Sequence, residues 1–262
     1  MSKALDGRTA IVYGAAGGLG TGITTAFAAA GAHVFLVGRT KETLDALASA
    51  ITSAGGKADT AVLDALDEDA VAAHAAAVVA ETGGLDISLN LITRGDVQGV
   101  PLIDMSADDL LRAVDTGLRG NFITAKIAAR HMVERGSGVI IALNSGSAHG
   151  SPMMGSTGPA DAALDILVRN LAQEIGPRGV RVAGIWAAGV LETLSPEKLG
   201  MVNDALGNEA AFQGIIDQLD KMRMLRRSPS LAQIADATVF LASDAAGALT
   251  GTWLNATATF TS

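Results

Sequence analysis

The chain lacks several features that would point to particular classes of protein. Its 262 residues include no cysteine, which excludes disulfide bonds and thiolate metal sites. It has no apolar run close to the ~18 residues that are needed to cross a bilayer. Its N-terminus carries no basic and then apolar leader. We therefore expect a cytoplasmic protein that has no membrane partner.

Basic and aromatic residues are scarce as well. The net charge is −8 at pH 7, and aromatic residues make up 3% of the chain. Nucleic acids are bound by basic faces that displace counterions, and single strands also by aromatic stacking platforms. The short basic cluster at 223–227 is typical of a solvated loop or helix end. We expect no nucleic-acid partner.

Short apolar runs alternate with longer amphipathic patterns along the whole chain. The predicted strands cover residues 9–13, 34–37, a run that ends at 63–64, 86–92, 139–143, 180–186 and 253–256. The predicted helices cover 23–30, 41–54, 67–81, most of 107–134, 161–175 and 231–242. Such alternation predicts βαβ units, whose right-handed crossovers place helices on both faces of a parallel sheet. We predict one doubly wound α/β domain over 1–262, in which the long segment 191–230 is a lid on the substrate side.

A glycine-rich loop follows the first predicted strand and opens the first predicted helix. It reads Tyr-Gly-Ala-Ala-Gly-Gly-Leu-Gly, with Gly14, Gly18, Leu19 and Gly20 as candidate cofactor-binding residues. The turn at Gly14, the approach to a pyrophosphate at Gly18 and the helix packing at Gly20 each favour a residue without a side chain. The N–H groups of the helix start would bind the phosphates. This context predicts a dinucleotide site, although a glycine spacing alone is also typical of a flexible turn.

The residues after the second and third strands bear on the choice of cofactor. Gly38 and Arg39 occupy the place where an NAD site usually has an acidic side chain for the ribose 2′-hydroxyl. Gly38 cannot repel a 2′-phosphate and Arg39 can bind one bidentately, which favours NADP(H) over NAD(H). The alternative is a surface arginine. Asp64 could accept a hydrogen bond from the adenine amine, or it could be a turn or N-cap carboxylate.

Several segments together resemble the short-chain dehydrogenase/reductase family. They are Gly14–Gly20, Asp64, Leu85-Asp-Ile87, 180–189 with Thr193, and the C-terminal 233–244 with 249–251. The resemblance covers essentially the whole chain. It implies a seven-stranded Rossmann-like subunit that binds a nicotinamide dinucleotide and forms a homodimer or homotetramer.

The resemblance also assigns cofactor contacts residue by residue. Asn90 matches the first residue of the family's Asn-Asn-Ala-Gly turn, which continues here as Leu-Ile-Thr. Gly189 matches the glycine of the usual Pro-Gly pair, with Ala188 in place of the proline. Thr193 would touch the nicotinamide amide or the phosphates. These three residues are therefore expected at the cofactor.

The departures from the family pattern fall on its catalytic residues. Gly117 stands at the position of the catalytic asparagine. The Tyr-x-x-x-Lys pair falls on Thr157 and Asp161, or on Gly158 and Asp161 if a one-residue gap is placed before it. The chain has one tyrosine, Tyr13. A threonine hydroxyl is a far weaker acid than a phenol, and a carboxylate in place of an ammonium reverses the local field.

The candidate catalytic residues are Ser145, which matches the family's serine, and Thr157, Asp161 and His149. His149 has the right intrinsic pKa for proton transfer, and Asp161 could orient it or accept hydrogen bonds from ribose hydroxyls. The alternative is a polar loop with an exposed histidine. Arg94 could face the cleft or form an ordinary salt bridge. The other histidines, at 33, 74 and 131, fall on separate elements and suggest no metal cluster.

Three hypotheses for the function remain open, and the sequence does not decide whether the chain is an enzyme. The first is an atypical oxidoreductase that acts on a small carbonyl or alcohol, with Ser145, His149 or water as the proton donor. The second is a non-redox isomerase, lyase or cyclase that uses the same cleft. The third is a catalytically silent cofactor-binding sensor or scaffold. The retained glycine loop and Arg39 favour a site that binds a cofactor under all three hypotheses.

Overall fold

A sheet of seven parallel strands forms the centre of the computed structural model, which describes residues 3–150, 152–197 and 208–259. The strands are β1 Thr9–Tyr13, β2 His33–Gly38, β3 Lys57–Val62, β4 Ile87–Asn90, β5 Gly138–Asn144, β6 Val180–Trp186 and β7 Trp253–Asn255. Their order across the sheet is β3-β2-β1-β4-β5-β6-β7, and every neighbouring pair is parallel. The predicted fold class, a single Rossmann-like α/β domain, is confirmed.

Helices cover both faces of this sheet. Those described in full are α1 Gly20–Ala29, α2 Lys41–Ser53, α3 Glu68–Thr82, α4 Ala107–Arg135, α5 Thr157–Ile175, α6 Glu209–Met222 and α7 Leu231–Ala242. Successive residues of a strand point to opposite faces. Val12 of β1 therefore packs in the core under α1, α2 and α7, while Ile11 packs in the core under α3, α4 and α5.

The start of α5 differs from the prediction and matters for the site. The helix begins at Thr157, four residues before the predicted start at 161. Pro159 lies in the first turn of this helix. The N–H groups of a first turn have no partner within the helix, so the lack of an N–H on proline costs no hydrogen bond there. Thr157 and Asp161 therefore lie one helical turn apart on the same face, and both are buried.

The order of the strands places a crevice at their carboxyl ends. From β1 the chain moves outward through β2 and β3, and then returns to add β4 on the other side of β1. The loops that leave β1 and β4 diverge at this switch point, which is where sheets of this kind bind ligands.

The predicted lid is only partly described. Residues 198–207 lie outside the described residues. Of the rest, Leu191–Thr193 forms a short 3-10 turn and α6 precedes a fully buried Arg223. The lid itself stays a prediction. Among the described helices, none is both long enough and apolar enough to cross a membrane.

Candidate active site

The glycine loop between β1 and α1 closes tightly against the loop after β4. Gly14 has a φ of +75°, and a Cβ at this position would lie 2.6 Å from the Leu91 carbonyl oxygen. A Cβ at Gly20 would collide with the carbonyl oxygens of Gly14 and Ala15. The loop therefore needs glycine for the turn and for the close packing of its own backbone, as a dinucleotide loop does.

The start of α1 suits an anionic group. Leu19 is at its N-cap position and offers no side-chain cap, and the first turn carries no acidic residue. The first N–H groups of a helix have no partner within the helix, and its dipole favours negative charge there. The residues present therefore fit the pyrophosphate of a dinucleotide.

A cavity of about 270 Å³ extends from this loop over the ends of β2 and β3. It is lined by Gly38, Arg39 and Asp64, the residues that the sequence assigned to the choice of cofactor and to the adenine; their contact with a cofactor stays a prediction. Arg39 and Asp64 are exposed there. One carboxylate oxygen of Asp64 accepts the Leu66 N–H at 3.0 Å, so Asp64 is a turn carboxylate that also faces the cavity.

A second cavity of about 270 Å³ adjoins the first, and Gly17 and the start of the loop after β4 line both. Gly18, Leu19 and Gly20 line it together with Asn90 and Ser145. Asn90 is buried, and its side chain already holds the protein together. It accepts the Ile92 N–H at 3.0 Å and donates to Thr124 Oγ1 at 3.0 Å. Asn90 therefore shapes the cavity wall through these bonds.

The two residues after β6 that were predicted to contact the cofactor, Gly189 and Thr193, have different surroundings in the structure. The methyl group of Thr193 lies over Gly18, 3.3 Å from where a Cβ would stand, so Thr193 reaches the glycine loop. Gly189 has a φ of +56° and faces Arg223, whose guanidinium leaves no room for a side chain at 189. Gly189 lines neither of the two cavities described above.

Asp161 is the centre of a hydrogen-bond network behind the second cavity, and it is fully buried. Its Oδ2 accepts three bonds: Ser145 Oγ at 2.6 Å, the Ser145 N–H at 3.1 Å and the Ser147 N–H at 2.9 Å. Its Oδ1 accepts Arg94 Nη1 at 2.7 Å. Both carboxylate oxygens are thus occupied by donors from two other loops.

Arg94 reaches Asp161 from the loop after β4, a sequence distance of 67 residues. Its other nitrogens bind Asp96 at 2.7 and 3.2 Å. Burial opposes the charge of this guanidinium, but the neighbouring Asp96 and Asp161 outweigh it and raise the pKa of Arg94. The guanidinium of Arg94 is therefore a permanent cation. The sequence had left two roles open for Arg94, as a residue that faces the cleft or as a member of an ordinary salt bridge.

Comparisons with known proteins agree with this geometry. A family model described as enoyl-(acyl carrier protein) reductase matches residues 14–258. Gluconate 5-dehydrogenase from Gluconobacter oxydans is 31% identical over 94% of this chain and 92% of its own length. D-threitol dehydrogenase from Mycolicibacterium smegmatis is 33% identical over 94% of this chain and 90% of its own. The chain belongs to the short-chain dehydrogenase/reductase family.

A solved structure of the same family has this arrangement of elements. It is a 7α-hydroxysteroid dehydrogenase in complex with NADH and 7-oxo glycochenodeoxycholic acid. It is similar to this chain with a TM-score of 0.82 and 29% identity, covering 99% of this chain and 96% of that one. The resemblance predicted from the sequence is therefore confirmed at the level of the family.

Gly117 of this short-chain dehydrogenase/reductase makes room for Arg94. It lies in the middle of α4, and a Cβ on it would stand 2.6 Å from Cδ of Arg94. The arginine stem therefore crosses the helix where a side chain would otherwise project. The glycine at this position, the arginine after β4 and the carboxylate on α5 form one interlocking set.

Two of the predicted catalytic residues make none of the hydrogen bonds of this network. Thr157 is buried, and its hydroxyl accepts Gln98 Nε2 at 2.9 Å. His149 is exposed, with its ring edge-on to Trp186 at 5.2 Å between centroids. The idea that Asp161 orients His149 is wrong, because the carboxylate of Asp161 is committed to Ser145, Ser147 and Arg94.

Tyr13, the one tyrosine of the chain, is a core residue. It is the last residue of β1, is 1% exposed and packs under α3 and α4. Desolvation by burial raises the pKa of its phenol above the ordinary value of 10.0. Tyr13 therefore cannot serve as a proton donor in either cavity.

Among the described residues, one group of side chains that could hold a metal ion was not predicted from the sequence. His33 at the start of β2, Asp59 on β3 and Glu81 on α3 bring their ligand atoms within 4.8 Å of one another. The histidines do fall on separate elements, but His33 converges with two carboxylates from elsewhere. The three residues lie toward the amino ends of the strands, away from both cavities.

Proposed function

We propose that this chain is an atypical oxidoreductase that binds NADP(H) and acts on a small alcohol or carbonyl compound. The observation that carries the proposal is the contrast between the two cavities. The adenosine side has the glycine loop, Gly38 and Arg39 that a phosphorylated dinucleotide needs. The nicotinamide side has Asp161 paired with Arg94 where the family pattern has its lysine.

The preference for the 2′-phosphorylated form rests on Gly38 and Arg39 alone. Arg39 is exposed at the cavity rim, and its guanidinium can bind a phosphate through two parallel hydrogen bonds. The hydroxysteroid dehydrogenase structure contains NADH, so this relative does not support the preference. A direct comparison of the two cofactors on this chain is therefore required.

The proposed chemistry has no matched general acid. The cofactor, when bound, would supply hydride transfer to or from a substrate carbon. In the protein, Thr157 is tied to Gln98 and Tyr13 is in the core. The proton must then come from His149 or from solvent, because the hydroxyl of Ser145 donates to the carboxylate of Asp161. Losing a positioned general acid costs about 10²–10⁴ in rate, so we expect slow turnover.

Calorimetric titration tests the cofactor half of the proposal. NADPH is expected to bind at least about ten-fold more tightly than NADH, which corresponds to one charge-assisted contact of about 1.4 kcal/mol. Equal or tighter binding of NADH would rule out the preference. If neither cofactor bound, the proposed function as a whole would be wrong.

A second candidate function is a catalytically silent cofactor-binding protein. It is favoured by the occupation of both Asp161 oxygens, since the bonds from Ser145 and Arg94 give this carboxylate a structural role. Tight NADPH binding without turnover of any tested alcohol or ketone would select this candidate. The homo-oligomeric state and the cytoplasmic location stay predictions.

A further inference from the structure

The hydrogen-bond network around Ser145 fixes the direction in which its hydroxyl proton points. Ser145 Oγ lies 2.6 Å from Asp161 Oδ2 and 2.7 Å from Ser147 Oγ. A serine hydroxyl has one proton and two lone pairs. The question is which neighbour receives the single proton of Ser145.

Asp161 must be the acceptor in this pair. Its Oδ2 already accepts two backbone N–H groups, from Ser145 and Ser147. A proton on Oδ2 would leave one lone pair for both of those donors. A proton on Oδ1 would face the guanidinium of Arg94 at 2.7 Å. The carboxylate therefore carries no proton, and the hydroxyl of Ser145 donates to it.

Ser147 then supplies the second contact. Because the proton of Ser145 lies on the bond to Asp161, the hydroxyl of Ser147 is the donor across the 2.7 Å contact between the two serines. That contact uses one lone pair of Ser145 Oγ. The other lone pair remains, and Ser145 lines the second cavity.

We propose that Ser145 acts toward a ligand in the second cavity as a hydrogen-bond acceptor, so that the cavity recognises a hydroxyl or amino group and disfavours a carbonyl oxygen. This inference rests on the proposed function for the nature of the ligand. A carbonyl oxygen placed against Ser145 would meet a lone pair and find no proton. An alcohol of the same shape would donate its proton to that lone pair.

The direction of the proton can be measured without any ligand or cofactor. NMR on serine-labelled protein is expected to show a slowly exchanging hydroxyl proton that is lost in Ser145→Ala. The matched control is Ser147→Ala, which removes the neighbouring hydroxyl and should leave the Ser145 proton protected. A Ser145 hydroxyl that exchanges as fast as an exposed one would overturn the proposal.

The preference for a donor is tested with a matched pair of probes, cyclohexanol and cyclohexanone. We expect the alcohol to bind at least about ten-fold more tightly, since an unpaired polar atom costs about 1–3 kcal/mol. Ser145→Ala should abolish this ratio. A bound ketone whose C=O stretch falls to lower frequency in the wild type, and returns in Ser145→Ala, would show that Ser145 donates and would refute the inference. Cofactor binding is measured separately by calorimetry. A failure of the proposed function can therefore be distinguished from a failure of this inference.

Discussion

At the scale of single residues, the charge of the cleft is set by Arg94 and its two partners. One guanidinium is shared by the carboxylates of Asp96 and Asp161, so the three groups together carry a net charge of −1. The side chain of Asp161 is fully buried, and that of Arg94 is 13% exposed. Removing the cation would leave a buried carboxylate without its counter-charge.

Arg94→Gln is therefore expected to lower the free energy of unfolding by about 3 kcal/mol, as loss of one partner of a buried ion pair does. Chemical denaturation measures this change. In the double variant with Asp161→Asn the loss should be smaller than the sum of the two single losses, because neither charge then remains. Additive losses would contradict the pairing.

The cofactor prediction also belongs to one side chain. Arg39→Ala should weaken NADPH binding by about ten-fold or more and leave NADH nearly unchanged, because only the phosphorylated cofactor presents a dianion to the guanidinium. Calorimetry on the variant measures both constants. Arg178→Ala removes another exposed arginine, just after α5, and should change neither constant.

Carbonyl reduction should be absent or very slow. A panel of ketones and aldehydes, followed by NADPH absorbance, is expected to turn over far below the usual enzyme range of roughly 1–10³ per second. Residual activity that disappears in His149→Ala would assign the proton to the exposed imidazole. Turnover within the usual range would mean that the assignment of Thr157 and Asp161 to the acid/base positions is mistaken.

At the scale of elements, the strands and helices that depend on local sequence patterns were predicted correctly. The seven strands and the six predicted helices follow from apolar periodicity, and α3 ends at Gly83 because glycine adopts the left-handed region. Helix α6 was not predicted, because it lies in the segment that was interpreted as a lid. The start of α5 was predicted four residues too late, although the proline at 159 is tolerated in the first turn of a helix.

The site was predictable only where it depends on one loop. The glycine loop and Arg39 each lie next to the strand that positions them, so their place in the cleft follows from the sequence. The bond from Arg94 to Asp161 joins elements 67 residues apart, and no spacing rule connects them. Gly117 could have given the signal, since a glycine inside a long helix commonly marks a close approach.

One helix start offers a measurable test of local stability. Ser230 caps α7 by accepting the Gln233 N–H, and the Gln233 side chain accepts the Ser230 N–H in return. Ser230→Ala should lower the free energy of unfolding by about 1 kcal/mol. Ser49→Ala, at an exposed position within α2, should stay within about 0.5 kcal/mol of the wild type.

At the scale of the whole molecule, we predict that copies of this chain associate. Large apolar side chains remain exposed on α4 and α5, with Leu111 at 56%, Phe122 at 48% and Ile166 at 52%. Exposed apolar surface of this kind on neighbouring helices marks a contact surface. Light scattering at micromolar concentration should give a multiple of 26.4 kDa, and Ile166→Lys should shift it toward the single-chain mass. A wild-type protein that runs only at 26.4 kDa would contradict this.

Because the side chain of Arg94 lies over Gly117, the effect of a substitution in the cleft depends on which substitutions were made before it. While Arg94 is present, Gly117→Asn meets its stem at 2.6 Å, and Asp161→Lys places a second cation against the guanidinium. Each change is therefore unfavourable while Arg94 is present, and shortening Arg94 alone leaves the buried Asp161 without its counter-charge. An attempt to evolve an ordinary reductase from this scaffold must therefore change residues 94 and 161 together. Selection that samples only α4 and α5 will not find this combination.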